Sequence, residues 1–139
     1  MFRSASNAEL DELRSLALFG SCTNKELTTI SRASNRITFA AGETIVGQGD
    51  STTDCYAILD GTARAEIDGV VIANFGRGES FGELAPLDQQ PRSASVIATT
   101  DVIALVFTGP EFASVAATIP SLTKKILSEM TVRLRTVQV

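Results

Sequence analysis

The hydrophobic period of this chain changes twice, and that change limits what it can fold into. From Ile37 to Phe107 the apolar residues come in short β-branched runs broken by glycines: ITFAAGETIVGQGD, CYAILDGTARAEIDGVVIANFGRGES and ASVIATTDVIALVF. Short runs at such close spacing predict an all-β core. The pairs Asp60-Gly61 and Asp68-Gly69 fall between runs, and this dipeptide accepts the positive backbone angles of tight hairpin turns. Both aspartates are expected to form turns rather than to do chemistry.

On either side of that region the period is helical. In SNAELDELRSLALF, Ser6 and Glu9 stand at capping spacing ahead of Leu10, Leu13 and Ala17, predicting a first helix that ends before Gly20. The segment TNKE repeats the signal with Thr23 and Glu26, and Leu27 and Ile30 give a second, short helix its apolar face. After Gly109-Pro110, Phe112, Val115, Ala116 and Ile119 form one stripe until Pro120 interrupts it. Leu127, Met130, Leu134 and Val137 then predict a final amphipathic helix. The expected organisation is a single mainly β unit over residues 1–139. N-terminal helices fill 1–36, a β-barrel or jelly roll fills 37–108, and exit helices fill 109–139.

Composition narrows the function. Of 139 residues, 44% are hydrophobic and 20% charged, enough apolar content for one real core, and the net charge is −4. Residues 40–91 hold nine acids against only Arg64 and Arg77, which disfavours binding of nucleic acid. No stretch approaches the ~20 apolar residues of a membrane span, and the N-terminus lacks a signal-peptide core, so a cytoplasmic protein without membrane contact is expected. Cys22 and Cys55 stand alone and far apart, which predicts two buried, reduced thiols. With no histidine in the chain, nucleophiles that need a histidine base and metal sites that need imidazole are excluded. Asp88 and Glu83 are the one carboxylate pair that could be imagined as acid and base, and nothing in the sequence brings them together; no catalytic residue, metal or cofactor is expected.

The segment FGELAPLDQQPRSASV, residues 81–96, is the chemically informative one. A turn beginning at Gly82, Glu83, Leu84 and Ala85 can aim unpaired N–H groups at a phosphate. Arg92 adds a planar, permanently charged fork suited to two phosphate oxygens. Glu83 cannot face the same anion. Its carboxylate only accepts, so it needs a donor, and a ribose hydroxyl is one. Gly82 and Ala94 allow a close backbone approach, and the Ser93 hydroxyl can serve phosphate or base. Each residue alone also has an ordinary reading, as turn glycine, solvated acid, exposed base or strand-edge hydroxyl. The arrangement as a whole favours a ligand that is both anion and sugar.

These residues resemble the phosphate-binding cassette of the cyclic nucleotide-binding domains found in catabolite-activator-type regulators, cyclic-nucleotide-dependent kinases and gated channels. That cassette looks like FGE(L/M)A followed by PR(S/T)A and a valine, and Phe81–Ala85 and Pro91–Val96 match it. LALFGSCTNKEL, FAAGETIVGQGD, YAILDG and EFASVAATIPSLTKKIL are similar to the flanking parts of the family, so the resemblance covers nearly the whole chain. It implies a jelly roll with a short cassette helix, with Glu83 on the ribose 2′-hydroxyl and Arg92 on the cyclic phosphate. Gly82, Leu84, Ala85, Ser93 and Ala94 would complete the cradle. Pro86 departs from the family pattern; early in a short helix it lacks only an amide that would go unbonded anyway.

Family members that favour cyclic GMP often carry threonine at the position of Ser93, and those that favour cyclic AMP often carry alanine. Serine lies between, and the expectation leans to cyclic AMP, with cyclic GMP as the alternative ligand. The family also covers the base with a C-terminal lid helix, for which Arg133, Leu134 and Arg135 are the candidates, as an arginine plane or aliphatic chain can stack on a purine. The resemblance implies a non-catalytic sensor that signals through its C-terminal helices to an unknown effector protein or a covalently attached effector domain. The alternatives are a ligand-free interaction module of the same fold, or a regulatory fragment of a larger channel, transporter, enzyme or transcription factor.

Overall fold

The computed structural model describes residues 5–83 and 90–137, with side chains through Ser128. Among these, the order is α1 (Asn7–Arg14), a 3-10 turn (Ala17–Phe19), α2 (Asn24–Ala33), β1 (Asn35–Phe39), β2 (Thr44–Val46), β3 (Cys55–Asp60), β4 (Ala63–Ile67), β5 (Val70–Phe75), β6 (Ser80–Phe81), β7 (Ser95–Ala98), β8 (Val102–Phe107), α3 (Gly109–Thr118) and α4 (Pro120–Val137). The strands form two antiparallel sheets, ordered β1-β8-β3-β6 and β2-β7-β4-β5. The fold is mainly β, with helices flanking the sheets.

Helix starts follow the local sequence closely. The Thr23 hydroxyl accepts from the Glu26 amide at 3.2 Å and the Glu26 carboxylate accepts from the Thr23 amide at 2.8 Å, a complete capping box. Thr108 and Glu111 repeat it at α3, and Ser6 caps α1 through the Glu9 amide. The end of α1 differs from expectation. The helix stops at Arg14, Leu16 is extended, and the 3-10 turn follows. Ala17 is exposed, whereas Leu16, Leu18 and Phe19 are buried, so the break turns three large side chains inward. Among the described side chains of α4, Leu122 and Ile126 are buried, while Leu127 is 55% exposed. Of the expected stripe, Leu127 therefore lies off the face that packs, and the side chains of Met130, Leu134 and Val137 lie outside the described residues.

The chain forms two apolar clusters that share one sheet. Cys55, Ala57, Leu59, Leu105 and Phe107 point from β3 and β8 to the helices, and Tyr56, Ile58, Val102, Ala104 and Val106 point from the same strands to the second sheet. Because successive side chains in a strand face opposite ways, a strand covered on both faces must be apolar throughout, as CYAIL and VIALVF are. Both thiols are buried and unbridged. Burial raises the Cys22 thiol above its ordinary value, with Glu26 adding to the rise and a hydrogen bond from Ser121 opposing it.

The two Asp-Gly pairs behave differently. Asp68 (φ 51) and Gly69 (φ 80) join β4 to β5 as a two-residue hairpin with Ile67 opposite Val70, and the double positive φ is what an aspartate-glycine pair tolerates. Asp60-Gly61 makes no hairpin. It carries the chain from β3 in one sheet to β4 in the other.

Candidate functional site

The segment between β6 and β7 links the two sheets. At its start, β6 pairs with β3 through Phe81 opposite Tyr56, so Gly82 emerges at a fixed point of the first sheet. At its end, Val96 of β7 sits opposite Ala65 of β4 in the second sheet, fixing the exit of Arg92–Ala94. Arg92 is further held by its backbone: its N–H donates to the Asp50 carbonyl at 2.7 Å and its carbonyl accepts from Gly49 at 2.8 Å.

A cavity of about 360 Å³ opens beside this segment. Gly82, Arg92, Ser93 and Ala94 line one end, and Ala65, Ile72, Ala73 and Phe75 of the β4–β5 hairpin line another part of its wall. The volume lies in the range of small-molecule sites. Arg92 is the sole charged residue among the described residues that line it. Beneath the wall, Phe75 and Phe81 meet at 5.3 Å and Phe81 stacks on Tyr56 at 5.0 Å, a rigid aromatic floor.

The guanidinium is held before any ligand arrives. Arg92 is 9% exposed, its Nη2 donates to the Asp54 carbonyl and its Nε donates to the Thr52 hydroxyl at 3.4 Å. Gly82 makes room for it. A Cβ at that position would lie 2.8 Å from Arg92 Nη1 and 2.8 Å from the Asp54 carbonyl, and the backbone itself has φ 80. Burial raises the Tyr56 phenol above its ordinary value, with Asp54 adding to the rise and Arg92 opposing it. The phenol therefore stays neutral at physiological pH and leaves the arginine charge available to an anion.

Of the expected site residues, Gly82, Arg92, Ser93 and Ala94 come together on one cavity. Glu83 does not line it: its side chain is 1% exposed, packed into the protein. Leu84 and Ala85, with Pro86 and Asp88, lie outside the described residues, as do the side chains of Arg133, Leu134 and Arg135 on α4. Sequence reasoning missed the hairpin wall. The register sets Ala65 opposite Ala73 and Glu66 opposite Val71, so Ile72 is one extra residue, a β-bulge. That bulge lets Ile72 and its neighbour Ala73 both line the cavity, which alternation along a regular strand would forbid. Alternation gave no hint of it; the run VVI at a position expected to be half-solvated was the available signal.

A small cavity with one buried cation, a glycine-made opening and an apolar wall suits a ligand that is anionic at one end and flat and apolar at the other. Comparison with known proteins agrees. The family model described as the cyclic nucleotide-binding domain matches residues 36–118. The chain is 35% identical over 95 residues to the Pycsar effector protein XpPycTIR of Xanthomonas perforans, covering 68% of this chain and 31% of that protein. It is 39% identical over 92 residues to the cAMP-dependent protein kinase regulatory subunit of Aspergillus niger, covering 65% of this chain and 22% of that one. The chain thus spans less than a third of the length of either of these curated relatives. The solved regulatory domain of Toxoplasma gondii PKA with cAMP superposes with a TM-score of 0.76 at 25% identity, covering 88% of this chain and 49% of that chain. With the family model spanning more than half of its length, this chain belongs to the cyclic nucleotide-binding domain family.

Proposed function

We propose that residues 1–139 act as one non-catalytic sensor of a 3′,5′-cyclic purine nucleotide, cyclic AMP in preference to cyclic GMP, and that occupancy is passed to the C-terminal helices. The observation that carries the reading is the cavity in which Arg92 is the sole charge among the described lining residues. The cyclic phosphate meets Arg92 with Gly82, Ser93 and Ala94 around it, and the purine lies toward Ile72, Ala73 and Phe75. Glu83 takes the ribose 2′-hydroxyl, a role that requires its carboxylate to come onto the cavity wall from its buried position. The presence of cAMP in the Toxoplasma gondii domain supports cyclic AMP. Ser93 suits either purine, as its hydroxyl both donates and accepts.

Coupling to the helices is supported by one contact. Thr53 lies between the two residues that hold Arg92, and it packs so closely on Gly109 that a Cβ there would meet its hydroxyl at 2.1 Å. A shift of the loop that holds the arginine therefore presses on the first residue of α3. A ligand moves such an equilibrium only by binding the two arrangements unequally. The greater length of the relatives fits an attached effector domain as the recipient of that movement.

The test is thermal unfolding with cyclic AMP, cyclic GMP and linear AMP. A ligand at 100 times its dissociation constant adds ~2.7 kcal/mol of stability. Cyclic AMP is expected to raise the melting temperature most and linear AMP least; no rise with either cyclic nucleotide would reject the sensor reading. For the apolar wall, Ile72→Ala is expected to lower cyclic AMP affinity about four- to fifteenfold, the loss of one to two contacting methylene equivalents. Because Ile72 is 55% exposed, the melting temperature of the variant without ligand should stay put. Calorimetric titration showing equal affinity would remove Ile72 from the site.

A further inference from the structure

Arg92 and the β4–β5 hairpin, which both contribute to the cavity wall, are tied to the same few residues of the loop between β2 and β3. At the anion end, Gly49 donates to the Arg92 carbonyl at 2.8 Å and Asp50 accepts from the Arg92 N–H at 2.7 Å. The Gln48 side chain makes two bonds to Asp68 at the tip of the β4–β5 hairpin, the hairpin that supplies Ala65, Ile72, Ala73 and Phe75 to the cavity wall. Its Nε2 donates to Asp68 Oδ1 at 3.1 Å, and its Oε1 accepts from the Asp68 N–H at 2.9 Å. The Gln48 N–H donates to the Ser95 hydroxyl at 2.9 Å, which fixes the glutamine to the start of β7.

Of the two strands of the hairpin, β4 is also paired to β7, from Ala63 opposite Ala98 to Glu66 opposite Ser95, and β5 is the less supported one. β5 is an edge strand whose neighbour in the sheet is β4 alone, and the bulge at Ile72 interrupts their ladder. An outer strand free to shift against β4 would carry Ile72 and Ala73 toward or away from Arg92. The two-bond ring through Gln48 resists that motion, because one amide group engages both a backbone donor and a side-chain acceptor at the tip.

We propose that Gln48 is a positioning residue for ligand selectivity, setting the distance between the arginine that takes the phosphate and the apolar wall that takes the base. The proposal rests on the reading of the cavity given above. It assigns Gln48 no contact with ligand; its effect passes through Asp68 and the hairpin. Loss of Gln48 therefore weakens the grip on the base and leaves the grip on the phosphate alone.

The experiment compares the unaltered chain with Gln48→Ala, Asp68→Asn and Arg92→Ala, using cyclic AMP and the base-free ribose 3′,5′-cyclic phosphate, each read by displacement of a labelled cyclic AMP. Gln48→Ala is expected to lose about five- to tenfold in cyclic AMP affinity, the worth of two hydrogen bonds in partial contact with solvent, with the base-free probe unchanged. Asp68→Asn keeps both the Oδ1 acceptor and the backbone N–H and should bind both probes as the unaltered chain does. Melting temperatures identify any variant that is merely unfolded, and Asp68→Ala, which removes one bond of the ring, then serves as the milder substitute. Equal cyclic AMP affinity in Gln48→Ala, or an equal loss for both probes, overturns the proposal. If the unaltered chain binds cyclic AMP and Arg92→Ala does not, those outcomes leave the cavity reading intact; if the unaltered chain binds neither probe, that reading fails and takes this one with it.

Discussion

Arg92→Ala is expected to weaken cyclic nucleotide binding by about 2–5 kcal/mol, the range for removing one partner of a buried charged pair. That is roughly a thirtyfold to several-thousandfold rise in the dissociation constant. The loss is large because the phosphate would enter a cavity in which the described lining offers no second cation. Arg92→Lys separates charge from geometry: the ammonium restores a point charge but not the planar fork, so an intermediate affinity is expected. Calorimetric titration of the three proteins decides the matter. A loss under ~1 kcal/mol in the alanine variant would mean that the anion is met elsewhere, and the assignment of this cavity to the phosphate would fall.

Gly82→Ala should damage both stability and binding. The backbone φ of 80 costs an alanine ~1–2 kcal/mol, and the new methyl would also stand 2.8 Å from the Asp54 carbonyl, a backbone atom that cannot swing aside. Together these effects should cost at least ~2 kcal/mol, a fall in melting temperature of roughly 8 °C for a chain of this size. The same methyl lies 2.8 Å from Arg92 Nη1, so the guanidinium must shift and affinity must drop with it. The informative comparison is with Gly69→Ala in the hairpin turn, where φ is 80 but nothing lies within 4 Å of the added carbon. That variant should lose only the backbone part of the stability. If both variants fell equally in stability and neither lost affinity, the close packing of Gly82 on Arg92 would have no functional weight.

What could be read from the sequence alone was whatever is encoded within a few consecutive residues. The capping pairs Thr23 with Glu26 and Ser6 with Glu9, the Asp68-Gly69 hairpin and the switch from helical to strand period depend on local hydrogen bonds and backbone preferences, and each stands where the sequence puts it. The order of Gly82, Glu83 and Arg92 was likewise legible, as a motif whose residue types suit a sugar phosphate. Tertiary structure decided the rest. Asp60-Gly61 has the same local chemistry as Asp68-Gly69, yet it spans two sheets, because β3 pairs with β8 and β6 in one sheet and β4 with β7 and β5 in the other. Leu16, Leu18 and Phe19 break a helix that its own period would extend, since the burial of three large side chains outweighs one more helical turn. Ile72 reaches the cavity through a bulge that exists only in the pairing of β5 with β4. The burial of Glu83 and the ring between Gln48 and Asp68, twenty residues apart in the chain, likewise exist only in the packed fold. Local preference is short-ranged, whereas which face of a strand is covered, and by what, is a property of the whole packed chain.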